Sequence, residues 1–80
     1  MDTIKNIVIF DGSLELPNPD LDKFDRSKAI VNKVLRFLRN RDSNIIDKIN
    51  KENAVLYINR YSGEWKIKNA SNKLINRIFG

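Results

Sequence analysis

The chain contains no cysteine and no histidine. Without thiols there can be no disulfide and no thiolate nucleophile, and without imidazole the usual zinc ligand sets and the commonest acid/base group near neutral pH are gone. Only carboxylates could hold a metal. The apolar runs are short, Ile7–Phe10 being typical, against the roughly 20 residues needed to span a bilayer. The N-terminus also lacks the charged-then-apolar layout of a secretory signal. These features read as a soluble, cytoplasmic chain with no membrane partner. Glycine (3) and proline (2) are scarce, so no glycine-rich loop exists to cradle a phosphate.

At 80 residues the chain makes a single domain over 1–80, and a chain of this size buries only about 60–65% of the surface its unfolded form exposes. A deep catalytic cleft is not expected. No carboxylate pair lies in a context that assigns acid and base roles. Ser13, Ser27, Ser43, Ser62 and Ser71 all read as turn or cap residues. The expectation is a protein that is no enzyme and uses no cofactor and no metal.

What the chain does have is positive charge, unevenly placed. Residues 1–25 carry Lys5 and Lys23 against six acidic residues, a net of −4; residues 26–80 carry thirteen basic residues against four acidic ones, a net of +9. That polarity favours an anionic partner, either nucleic acid or an acidic protein surface.

The stretch "IVIFDGSL" over residues 7–14 places an aspartate and a glycine after an apolar strand. Dehalogenase-type phosphatases put a nucleophilic aspartate in such a place, but they need a second aspartate two positions on, where Ser13 stands. Asp11-Gly12 instead predicts a two-residue type I′ hairpin turn. Phe10 then faces Ser13 and Ile9 faces Leu14. Ile7, Ile9, Leu14 and Leu16 share the core face, and Pro17 ends the ladder.

Asn18-Pro19-Asp20 can begin a helix, with Asn18 as cap, and a start at Asp25 or Ser27 is equally consistent. From Ser27 to Arg41 the pattern is helical, with Ile30, Val31, Val34, Leu35, Phe37 and Leu38 on one broad face. Asp42 or Ser43 can cap a second helix carrying Ile45, Ile46 and Ile49. Residues 54–69 predict a second hairpin turning at Ser62-Gly63. Its inner face holds Leu56, Ile58, Arg60, Trp65 and Ile67; its outer face holds Tyr57, Asn59, Tyr61, Lys66 and Lys68. Ser71 caps a terminal helix with Leu74, Ile75, Ile78 and Phe79 as its stripe. The fold class is α+β, in the order ββααββα, with two to three helices packed on one sheet face.

Two surfaces stand out as binding candidates. Lys28, Lys33, Arg36 and Arg39 lie opposite the apolar side of the long helix and span about 16 Å, enough for several phosphates or an acidic groove. Asp22 and Asp25 would blunt their field. Tyr57 and Tyr61 alternating with Lys66 and Lys68 match the chemistry of sheets on which single-stranded bases stack, and Val8 and Phe10 would extend that face if both hairpins joined one sheet. Arg60 is expected to stack on Trp65 as a cation–π pair. These features point to a small basic module contacting nucleic acid or a ribonucleoprotein. A protein-binding inhibitor or accessory subunit of phage or mobile-element type is the alternative.

Overall fold

A computed structural model describes residues 3–80. Strand β1 (Ile7–Asp11) turns into β2 (Leu14–Pro17), and a single 3-10 turn over Leu21–Lys23 leads into helix α1 (Asp25–Arg41). Helix α2 (Ile45–Lys51) follows, then strands β3 (Val55–Asn59) and β4 (Trp65–Lys68) and helix α3 (Asn72–Phe79). The two hairpins join into one four-stranded sheet of order β2-β1-β3-β4. Within each hairpin the pairing is antiparallel, but β1 and β3 run parallel, with Ile7 beside Leu56 and Phe10 beside Asn59. The α1–α2 segment makes the crossover that a parallel pair requires.

Strand alternation settles which face carries what. Ile7, Ile9, Leu56, Ile58 and Ile67 all point to one side and are buried. On that side they meet Val31, Val34 and Leu38 of α1, Ile45, Ile46 and Ile49 of α2, and Leu74 and Ile78 of α3. Fully burying one such side chain is worth about 1.5–3 kcal/mol, so this one cluster holds the three helices to a single sheet face. α3 is short and docks as expected. Ser71 Oγ accepts from the Leu74 backbone N–H at 3.2 Å, and Arg41 of α1 donates to the Ile78 carbonyl at 2.9 Å.

The first turn differs from the expected one. Ile9 faces Leu16 and Asp11 faces Leu14, so the two loop residues are Gly12 and Ser13. Gly12 has φ +67° and Ser13 is not in the left-handed region, the arrangement of a type II′ turn, which takes glycine at its first central position. The parity of Ile7, Ile9 and Leu16 is unchanged. Asp11, however, becomes the last residue of β1, with its side chain on the helix side.

Asn18 does not cap a helix. Its φ is +44°, and it bonds β1 instead, its side-chain Oδ1 accepting from the Ile7 N–H at 2.9 Å and its own N–H donating to the Ile7 carbonyl at 2.6 Å. α1 therefore takes the later of the expected starts, at Asp25. Ser27 is not a cap either: it is wholly buried in the first turn of α1, and its hydroxyl has no hydrogen-bond partner among the described residues.

Candidate nucleic-acid interface

All three helices pack on one side, so the other side of the sheet is left open, and the two central strands present their aromatic residues there. Val8 lies beside Tyr57 and Phe10 beside Asn59 in the parallel pair. The Phe10 and Tyr57 rings stand 5.4 Å apart between centroids, tilted by 31°. Lys66 is the cross-strand partner of Tyr57, and Lys68 that of Val55. Their ammonium groups sit 6.0 Å and 4.9 Å from the Tyr57 ring centroid. A hollow of about 230 Å³ opens at the hairpin end of this face, lined by Phe10, Tyr57, Asn59, Glu64, Trp65 and Lys66. The face is electrically graded, with Glu15 on edge strand β2 and the two lysines on edge strand β4.

Of the residues singled out from the sequence, Tyr57, Lys66 and Lys68 come together here, and Phe10 joins them. Tyr61 does not. Five residues, 60–64, separate β3 from β4, so Tyr61 lies in the turn, 60% exposed, and its hydroxyl donates to Asp11 at 2.7 Å. That donation to a carboxylate raises the Tyr61 phenol above its ordinary value. Arg60 also leaves its expected partner. Its guanidinium pairs with Asp11 at 3.2 Å and lies 5.1 Å from the Phe24 ring centroid, not over Trp65. With the first turn shifted, Asp11 ends β1 and its carboxylate stands within reach of both side chains.

The basic residues of α1 do not form one line. At about 100° per residue, Lys28 and Arg39 lie near one edge of the exposed arc, and Lys33 lies roughly 140° round from Lys28. Lys28 pairs with Asp22 at 2.7 Å, which raises the lysine and lowers the aspartate relative to their ordinary values. This edge borders a broader hollow of about 610 Å³ between α1 and residues 19–22, where Asp20 and Asp22 offset Lys28 and Arg39. Arg36 and Lys33 face outward, on the opposite side of the molecule from the open sheet.

A third surface was not singled out from the sequence. Trp65 is on the helix side as its parity requires, but it is only half-buried, with Phe37 at 5.6 Å and Phe79 at 5.7 Å between ring centroids. Phe37 is 40% and Phe79 50% exposed. The Arg41 guanidinium lies 5.7 Å from the Phe37 ring centroid. The helical stripes contained both phenylalanines, but only the packing shows that the core runs out beneath them.

Among the described residues no three or more Asp or Glu side chains gather closely enough to hold a metal, and among them no helix is long and apolar enough to cross a membrane. No protein-family model, curated protein or solved structure matches the chain.

Proposed function

We propose that the chain is a non-enzymatic module that holds single-stranded nucleic acid on its open sheet face. The observation that carries this reading is the pairing of Phe10 and Tyr57 on adjacent central strands, flanked by Lys66 and Lys68. Aromatic rings on an uncovered sheet offer stacking platforms for unpaired bases, and lysines beside them can move onto the phosphates. A duplex keeps its bases stacked inside and cannot use such rings. The net charge of +5 adds attraction that depends on salt rather than on base sequence.

Fluorescence anisotropy with short labelled RNA and DNA strands tests the reading. Phe10→Ala and Tyr57→Ala should each weaken single-strand binding by about 1–3 kcal/mol, and duplexes of the same sequence should bind poorly. Equal affinity of both variants and the parent would remove the sheet face from consideration.

A second reading, a protein-binding inhibitor or accessory subunit, is favoured by the exposed Phe37, Trp65 and Phe79 cluster with Arg41 beside it. Aromatic and arginine side chains dominate protein–protein hot spots. Phe37→Ser would then abolish capture of a protein partner and leave oligonucleotide affinity intact, because Phe37 belongs to α1 on the covered side of the sheet and Tyr57 to the open side.

A further inference from the structure

The hollow at the hairpin end of the open face contains a group that does not suit a plain phosphate-attracting surface. Glu64 immediately precedes β4, two residues before Lys66, and lines the hollow together with Phe10, Tyr57 and Asn59. Among the described residues its carboxylate makes no hydrogen bond and no ion pair. Its backbone, in contrast, is held: the Glu64 carbonyl accepts from the Asn59 N–H at 2.8 Å, and the Glu64 N–H donates to Ser62 Oγ at 3.2 Å. Asn59 is equally defined. Its Oδ1 accepts from the backbone N–H groups of Tyr61 at 2.9 Å and Ser62 at 3.0 Å. Its amide orientation is thereby set, and Nδ2 is left as a donor with no partner among the described residues.

An unpaired carboxylate repels the phosphates that Lys66 and Lys68 would attract, so it weakens binding unless it meets donors on the ligand. We infer that this hollow is a base-reading pocket selective for guanine within a single strand; the inference rests on the nucleic-acid reading above. Guanine is the base whose Watson–Crick edge sets two donors side by side, N1–H and the exocyclic amine, next to the O6 acceptor. A carboxylate only accepts when ionised and can take both donors at once, and O6 can then accept from the Asn59 amide or the Lys66 ammonium. Adenine and cytosine turn a ring-nitrogen lone pair toward the same carboxylate. Uracil offers one N–H between two carbonyl oxygens. Each of these three leaves acceptor facing acceptor, which rejects the wrong base more strongly than it favours the right one. The Phe10 and Tyr57 rings supply the stacking wall. The volume of about 230 Å³ lies below the roughly 300–1,000 Å³ typical of drug-sized ligands, and suits one base rather than a whole nucleotide cofactor.

The test uses the full chain and labelled uridine pentamers whose central position is guanine, inosine, adenine or uracil. The guanine strand should bind at least about fivefold more tightly than the adenine and uridine strands, in line with bidentate base recognition. Inosine, which lacks the exocyclic amine, should fall between. Glu64→Gln should bring the guanine-to-adenine ratio close to one, and circular dichroism should confirm that this exposed position leaves the fold intact. Equal, measurable affinity for all four strands would overturn guanine selectivity and leave single-strand binding standing. Loss of guanine preference in Tyr57→Ala but not in Glu64→Gln would assign the reading to another group and also overturn the inference. If no pentamer binds at all, the nucleic-acid reading itself fails and the pocket with it.

Discussion

Ser27 and Asp11 show how far one side chain's surroundings can depart from its usual role. A buried hydroxyl without a partner forfeits its hydrogen bonds to water, at a cost of about 1–3 kcal/mol. Alanine is also the better helix former. Ser27→Ala should therefore leave stability unchanged or raise it by up to ~1 kcal/mol in urea denaturation, and a loss beyond that would mean the hydroxyl has a partner in solution. Asp11 runs the other way. Its carboxylate accepts from Arg60 and Tyr61 and joins the tip of β1 to the β3–β4 loop across 49 and 50 residues of sequence. Asp11→Asn keeps the shape but loses the charge, and should cost about 0.5–1.5 kcal/mol, measurable as a lowered denaturation midpoint with an unchanged slope. Were Asp11 only a turn residue, the exchange would be nearly silent.

The elements differ in what holds them. The β1–β2 hairpin depends on its turn, because β2 is an edge strand whose outward residues are exposed and which ends at Pro17. A methyl group at Gly12 would meet nothing within 4 Å, so Gly12→Ala should cost only the strain of a left-handed residue, about 1 kcal/mol. α1 depends on its buried side, and Lys33 and Arg36 on its outer side face solvent. Changing Lys28, Lys33, Arg36 and Arg39 to Gln should leave the slope of log affinity against log salt for single strands almost unaltered if the sheet is the interface. The Lys66→Gln, Lys68→Gln pair should flatten it by about 1–1.5 units. The reverse outcome would move the interface to the helix.

For the molecule as a whole, Asp42 is the point at which three helices are tied together. It ends α1, accepts from the Asn44 N–H at the start of α2, and pairs with Lys48 of α2 and Arg77 of α3. These contacts, the Asn44 N–H first, hold its carboxyl well below the usual carboxylate range. A depressed carboxylate adds stability that is fully present above its unfolded value, near 4, and that drains away as pH falls below that value toward the folded one. Thermal melts of the parent should thus lose ground steeply between about pH 5 and pH 2. Asp42→Asn should melt several degrees lower at pH 7, and the gap should narrow as the pH falls from about 5 to 2 without closing, because the folded carboxyl keeps part of its charge there. A constant gap between the two across that range would show that the aspartate acts through shape alone.

The local plan of this protein is written in its sequence, because hydrophobic period, cap residues and turn glycines act over a few neighbours. The order ββααββα, the inward parity of Ile7, Ile9, Leu56, Ile58 and Ile67, the pairing of Ile58 with Trp65 on one face and the Ser71 cap all follow from such short-range rules. The outward placement of Tyr57, Lys66 and Lys68 follows from the same alternation. What the sequence left open was longer in range. The parallel pairing of β1 with β3 depends on the crossover through two helices, and only that pairing sets Phe10 beside Tyr57. Turn chemistry left the choice between Asp11-Gly12 and Gly12-Ser13 unsettled, since glycine serves either a type I′ or a type II′ turn. The tertiary structure decided it by bringing Arg60 and Tyr61 to the Asp11 carboxylate. The exposed Phe37, Trp65 and Phe79 cluster has the same origin: a helical stripe tells which side of a helix is apolar, but only the packed molecule determines where the sheet beneath it ends.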